Sequence, residues 1–177
     1  MNENEFSSAI SILAPVSDIF TKRFSIQYML GLNYSRIKKF KEALEYYNRA
    51  LSLQPESAGV LHSMAIAYDE IGEWNKSDKI YLQLIEKNNL DAQALNNFAY
   101  SLVEREKDLD KALQYAKKAI ELEPDNPSYL DTIGWVYFKL NDLRKAKKFI
   151  EKSIMIQGDN SVVLEHLGDI LMKSNDR

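Results

Sequence analysis

The sequence repeats itself with a period of 34 residues, and this self-similarity restricts the chain to a repeat architecture. The first copy contains Leu30-Gly31 and Tyr34, followed by Ala43 and Tyr47. Similar residue types return after successive shifts of 34, with one inserted residue near Lys107. In the fourth copy the corresponding residues are Ile133, Gly134, Tyr137, Ala146 and Ile150. A period of this length predicts a stack of small units, each too small to bury its apolar face alone.

Each copy has the pattern of two helices joined by a short turn. In the first copy, residues 24–37 form one helical pattern and residues 41–53 form a second. Pro55 ends the second helix, because proline lacks an amide hydrogen and restricts the residue before it. The chain is therefore expected to contain antiparallel helix pairs and no strand.

Small residues recur where the two helices of a pair must approach each other. A glycine inside a helix costs about 1 kcal/mol relative to alanine, so Gly31, Gly134 and Gly168 need a packing reason. Ala43 recurs in the same way on the second helix of the pair. We predict that close contact between the paired helices accounts for these positions.

These residues resemble the tetratricopeptide repeat (TPR) family, whose signature is W-x2-L-G-x2-Y…A-x3-F…P. The first copy matches as Leu30-Gly31-x2-Tyr34…Ala43-x3-Tyr47…Pro55, and the fourth matches almost as well. No copy has the leading tryptophan. The resemblance implies an all-α fold, a right-handed solenoid of antiparallel helix pairs. The predicted segments are an N-terminal helical half repeat at 1–23, repeats at 24–57, 58–91, 92–126 and 127–160, and a half repeat or capping helix at 161–177.

The resemblance also implies a concave groove, lined by the first helices, that holds a segment of a partner protein. Carried over by register, the partner-binding groove consists of Tyr28, Met29, Leu32, His62, Ile66, Asn96, Asn97, Tyr100, Asp131, Trp135 and Phe138. Only Asn97 fits the Lys, Arg and Asn set with which some TPR proteins grip a terminal carboxylate, so we do not expect such a clamp.

Two groove positions leave alternatives open. The helix that carries Trp135 and Phe138 is apolar nearly all round, and such a helix is either buried on all sides or presents a binding surface. Trp135 therefore serves either partner contact or packing within the chain. Asn97 offers both a donor and an acceptor to the backbone of an extended ligand, but Asn96 and Asn97 are equally suited to be solvated helix residues.

Composition and motifs argue against catalysis. The chain has no cysteine, which excludes disulfides, thiolate metal sites and a cysteine nucleophile. His62 and His166 are its only histidines, and three repeats separate them, so they are too distant to share a metal. No phosphate-binding glycine loop, His-Glu-x-x-His run or G-x-S-x-G elbow is present. We predict a protein that is not an enzyme and that has no cofactor and no metal.

Charge gives no reason to expect nucleic acid or membrane partners. Twenty-three Lys and Arg against 26 Asp and Glu leave a formal charge of −3. A basic run around Lys147 and Lys148 falls on a second helix, where a solvated outer face explains it. The apolar runs are too short to cross a bilayer. The expected partner is a protein or peptide segment.

The two ends of the repeat frame resemble halves of repeats. Ala9 lies 34 residues before Ala43, so residues 4–14 are interpreted as a second helix that ends or kinks near Pro15. Residues 161–173 form a first-helix pattern with apolar residues on more than one face. This last helix is either a solubilising cap or the edge of a longer array. In the second case, self-association through the terminal helices is expected.

The stretches 95–102 and 129–137 have a narrower resemblance to TPR adaptors of the bacterial envelope. The opening MNENEF carries acids where a secretory signal needs positive charge. The compartment is therefore cytoplasmic for the chain as given, and periplasmic or envelope-anchored for an excerpt. Two functions remain open: an adaptor or scaffold whose groove binds a partner segment, or a structural, self-associating segment of a larger TPR protein with no groove of its own.

Overall fold

A computed structural model describes residues 3–17, 19–158 and 160–175. Residues 1, 2, 18, 159, 176 and 177, which belong to the predicted segments 1–23, 127–160 and 161–177, lie outside the described residues. The described residues contain ten helices and no strand, which confirms the all-α fold class. The helices are α1 (Glu3–Ser17), α2 (Phe24–Arg36), α3 (Phe40–Leu53), α4 (Ala58–Glu70), α5 (Trp74–Lys87), α6 (Ala92–Glu104), α7 (Leu109–Leu122), α8 (Pro127–Lys139), α9 (Leu143–Ile156) and α10 (Ser161–Asn175).

The helices belong to two compact units. The N-terminal unit, Met1–Glu86, contains α1 to α4 and nearly all of α5, and the C-terminal unit, Lys87–Arg177, contains α6 to α10. Within each unit a helix packs against its neighbour in sequence, as α2 does against α3 and α8 against α9. First helices also contact one another, α2 with α4 and α6 with α8.

The turn between the two helices of each pair has one repeated backbone geometry. Lys38, Gly72, Glu106 and Asn141 stand at the same register, and all four have positive φ, between 50° and 75°. In each turn the next amide donates to a carbonyl five residues back, as Lys39 N does to Tyr34 O at 2.9 Å. This is the left-handed helix end that satisfies carbonyls with no partner inside the helix. The loop between α6 and α7 is one residue longer, and Asp108 in it also has a positive φ of 46°.

The core of the N-terminal unit forms around Tyr47 of α3. Its side chain is fully buried, its ring centroid lies 6.0 Å from that of Tyr28, and its hydroxyl shares a 2.9 Å hydrogen bond with Ser35. Burial raises the pKa of Tyr47, so the hydroxyl stays neutral inside the fold. The buried apolar cluster around Tyr47 joins α3 to α4 through Val60 and Met64.

The recurring glycines lie at close helix contacts in two of three cases. A Cβ on Gly31 would collide with the ring of Tyr47, and one on Gly134 would lie 2.8 Å from side-chain carbons of Ile150. Around Gly168 of α10 no atom lies within 4 Å of the corresponding position. The packing explanation therefore holds for Gly31 and Gly134, whereas the same surface on α10 is open.

We expect Gly31→Ala and Gly168→Ala to change stability in opposite directions. At Gly31 the added methyl overpacks a buried ring, which typically costs about 1–3 kcal/mol and exceeds the roughly 1 kcal/mol gained from helix propensity. At Gly168 only the gain in helix propensity applies. Urea unfolding followed by circular dichroism measures both effects. A Gly31→Ala protein more stable than the parent would contradict the observed helix contact.

The structure adds detail to the two predicted half-repeat helices. Helix α1 does not end at Pro15 but continues to Ser17, whose hydroxyl donates to Ala14 O at 2.8 Å. In α10, Val163 and Ile170 are buried within the C-terminal unit, whereas Val162, Leu164 and Leu171 are exposed. One face of α10 is thus covered and another remains open.

Candidate functional site

The predicted groove residues fall on the first helices of both units. In the N-terminal unit, α2 carries Tyr28, Met29 and Leu32, and α4 carries His62 and Ile66. In the C-terminal unit the groove residues are Asn96, Asn97 and Tyr100 on α6 and Asp131, Trp135 and Phe138 on α8. Their accessibility differs sharply, and it separates residues that a partner can reach from residues that hold the fold together.

In the N-terminal unit three apolar groove side chains are exposed: Met29, Leu32 and Ile66. Tyr28 is half-buried beside them, and its hydroxyl donates to Gly59 O at 3.1 Å. The same hydroxyl lies 3.3 Å from the Ser63 hydroxyl, so Tyr28 ties α2 to α4. Leu32 and Ile66 are 34 residues apart and occupy the same register on neighbouring first helices, which contact each other. The fold therefore presents apolar surface at a repeated position.

A pocket of about 250 Å³ opens between α1 and α2. Its apolar lining comes from Phe6 and Ala9 of α1 and from Met29 and Leu32 of α2, with polar side chains beside them. Two of the predicted groove residues thus also border this pocket, and α1, which the groove prediction left out, contributes to the same surface.

In the C-terminal unit, Trp135 is packed within the chain and only 7% exposed. Its ring stacks on Phe138 at 4.7 Å and on His166 of α10 at 4.0 Å between centroids. Its Nε1 donates to Glu104 Oε1 on α6 at 2.7 Å. Of the two roles that the sequence left open for Trp135, the structure shows intramolecular packing across three helices.

Two lysine side chains lie over the rings of this aromatic cluster. Lys139 Nζ lies 5.0 Å from the Trp135 ring centroid and donates to Glu106 Oε1 at 2.9 Å. The hydrogen bond and charge of Lys139 hold the pKa of the exposed Glu106 carboxyl below its usual range. Lys173 Nζ lies 4.7 Å from the centroid of the half-buried Phe138. Cation–π contacts of this kind fix long side chains over an aromatic face.

A buried polar pair connects α8 to α10. His166 Nδ1 and Asp131 Oδ1 are 2.8 Å apart, and both residues are buried. Asp131, one of the predicted groove residues, is thus engaged by the fold. Sequence reasoning missed this pair and the Glu104 contact, because each joins residues more than 30 positions apart.

The asparagine pair on α6 is divided between interior and surface. Asn96 is buried, with Nδ2 3.4 Å from Asn97 Oδ1, whereas Asn97 is half-buried. Tyr100, one turn along α6, is also half-buried, and His62 on α4 is buried. Of these four, Asn97 and Tyr100 present part of their side chains to solvent.

The described residues contain no group of three or more His, Cys, Asp or Glu side chains placed to hold a metal ion. Within that same part of the chain, each helix is too short or too polar to span a bilayer.

Comparison with known families identifies the repeats. Tetratricopeptide repeat models match residues 25–57, 60–93, 92–126 and 127–160. The chain belongs to the TPR family. Proteins of this family are generally non-catalytic modules that bind proteins or peptides, and the repeats place this chain among protein-interaction modules.

Individual relatives are distant. The chain is 29% identical over 117 residues to the human cell division cycle protein 16 homolog, a match that takes in 61% of this chain and 19% of that protein. It spans about a fifth of the length of the first such relatives. It is also 30% identical over 146 residues to the photosystem I assembly protein Ycf3 of Prochlorococcus marinus, covering 73% of this chain and 83% of Ycf3. The crystal structure of the TPR protein YrrB superposes with a TM-score of 0.66 at 22% identity, over 92% of this chain and 83% of YrrB. That likeness shows the shared fold.

Proposed function

We propose that this protein is an adaptor whose first-helix surface binds an extended segment of a partner protein. The observation that carries the proposal is the exposure of Met29, Leu32 and Ile66 on α2 and α4. None of the three is required by the buried cluster around Tyr47, yet Leu32 and Ile66 hold the same register on adjacent helices. An apolar row at a repeated position suits a chain that crosses successive helices.

The chemistry of the surface defines the ligand class. Apolar side chains of the segment contact Met29, Leu32 and Ile66 of the N-terminal unit. Ordering an extended peptide costs conformational entropy, which opposes much of the favourable contact free energy. We therefore expect a dissociation constant near micromolar, which corresponds to a binding free energy of about −8 kcal/mol. The solved TPR protein YrrB is described as having a peptide-binding site, and a shared fold makes a peptide ligand reasonable here.

The buried residues of the predicted groove have a supporting role in this proposal. Trp135 and Asp131 hold α6, α8 and α10 together, so they determine the position of accessible neighbours such as Phe138. A partner contacts the exposed members of the groove and leaves the packed members in place.

We expect Ile66→Arg to weaken peptide binding by roughly 30-fold, because truncating or charging a central apolar contact commonly costs about 2 kcal/mol. The probes are peptides selected by the parent protein from a random library of unstructured 12-residue sequences, and calorimetry gives their dissociation constants. Leu82→Arg is the matched control, because Leu82 on the second helix α5 is 42% exposed and Ile66 is 41% exposed.

The control separates the possible results. Peptides that bind Leu82→Arg normally but lose affinity for Ile66→Arg support the first-helix surface. Peptides with the opposite preference would place binding on the second helices. A library that yields no peptide at all would count against binding of an extended segment.

A further inference from the structure

One face of α10 has the chemistry of a first-helix face, and no second helix covers it among the described residues. Leu164, Gly168 and Leu171 stand at the register of Leu130, Gly134 and Tyr137 on α8. Leu130 is 1% exposed, whereas Leu164 is 47% exposed. Beside Gly168 there is open space, whereas Ile150 of α9 fills the space beside Gly134. The open face of α10 therefore matches, position by position, a face that is covered on α8.

Helix α1 has the complementary character. It contacts α2 as α3 contacts α4 and α9 contacts α10, that is, as a second helix contacts the next first helix. Ile12 of α1 stands at the register of Tyr46 and Phe149. Those two rings stack on the first helix of their own pair, Tyr46 on Tyr34 at 5.3 Å and Phe149 on Tyr137 at 5.7 Å. Ile12 is 66% exposed.

The two faces are the two halves of a contact that the fold already makes within its helix pairs. Leu13 stands at the register of Tyr47 and Ile150, the residues that fill the space beside Gly31 and Gly134. Leu171 stands at the register of Tyr34 and Tyr137, the residues on which Tyr46 and Phe149 stack. An α1 helix placed on α10 thus brings Leu13 to Gly168 and Ile12 to Leu171.

We propose that α10 of one copy packs against α1 of a second copy, so that the two copies together complete one repeat. The contact joins different surfaces on the two molecules, and it is therefore head-to-tail. The pocket between α1 and α2 lies beside the same face, where a first helix paired with α1 would contact Phe6 and Ala9. The same helix, α10 of the second copy, occupies both the exposed face of α1 and this pocket.

The size of the contact determines how it is observed. A single helix pair with a few additional contacts falls at the low end of protein interfaces, below about 1,200 Å², where complexes are weak and transient. Association is therefore expected to depend on concentration over the micromolar to millimolar range. Ile12 and Leu171, the residues that carry this contact, are not groove residues, so self-association and peptide binding can be measured separately.

The test is sedimentation velocity of the full 177-residue chain over a concentration series, with two variants. Ile12→Arg blocks the α1 face and Leu171→Arg blocks the α10 face, and both side chains are exposed, so the fold tolerates the charge. Each variant alone should remain monomeric. An equimolar mixture should form a one-to-one complex and nothing larger, because each variant keeps one intact face. Met155→Arg on α9, where Met155 is 86% exposed, should associate as the parent does.

Several results would overturn the proposal. A parent protein that stays monomeric up to about 1 mM excludes it. Association that survives Ile12→Arg but not Leu171→Arg would show a symmetric contact between two α10 helices. A mixture of the two variants that fails to form a complex, with both variants folded by circular dichroism, would exclude the head-to-tail arrangement. Peptide binding by these variants at low concentration reports separately on the groove.

Discussion

Trp135→Ala should destabilise the C-terminal unit by about 3–5 kcal/mol, the usual cost of removing a large buried aromatic side chain. The indole is packed between Phe138 and His166, and its Nε1 donates to Glu104 at 2.7 Å. Alanine leaves a cavity between α8 and α10 and removes the donor that holds α6 to α8. The melting temperature should fall by roughly 10 °C for a chain of this size.

Trp135→Phe is the matched control for this prediction. A phenyl ring retains much of the stacking on Phe138 and His166 but has no donor for Glu104, so a smaller loss is expected. Thermal and urea unfolding by far-ultraviolet circular dichroism measure both variants. A Trp135→Ala protein that melts with the parent would mean that the indole is not packed as described, and the same residue would become a candidate partner contact.

Tyr47→Ala should destabilise the N-terminal unit by a similar amount, about 3–5 kcal/mol. The ring fills the space beside Gly31 and packs near Tyr28, and its hydroxyl bonds Ser35 at 2.9 Å. Tyr47→Phe keeps the ring and removes only the hydroxyl bond, so a loss of about 1 kcal/mol is expected. Urea unfolding gives both values.

Tyr47 and Gly31 together supply a stricter test of their contact. In the Tyr47→Ala background the ring that a side chain on Gly31 would strike is gone. Gly31→Ala should therefore change from destabilising to stabilising, and the coupling between the two substitutions should be evident in a double-mutant cycle. Additive effects would show that the ring does not face Gly31.

Burial of Tyr47 also has a pH consequence. Its pKa is raised in the folded state above the ordinary value of about 10, chiefly because burial disfavours the charged phenolate. The resulting stability is present below pH 10 and is lost as pH rises through the folded-state pKa. Tyr47→Phe should lose less stability than the parent over that alkaline range.

The sequence predicted the fold because its spacing encodes the contacts within a helix pair. Gly31 recurs as Gly134 because a large side chain of the paired helix, Tyr47 in the first repeat and Ile150 in the fourth, occupies the space beside each glycine. The candidate site was less accessible to such reasoning. Register identifies which face Trp135 lies on, but not that His166 and Glu104 approach it from other helices. Exposure depends on those neighbours, so Ile66 and Trp135, at the same register, differ in accessibility.

The loop between α6 and α7 shows where the molecule can absorb a change in length. It contains one residue more than the loop between α2 and α3, and a second left-handed residue, Asp108, accommodates the addition. Both flanking helices nevertheless begin and end in register with those of the first repeat. This loop is therefore a practical place for a short engineered tag or a fluorescent label, because exposed loop tips tolerate insertions with little effect on packing.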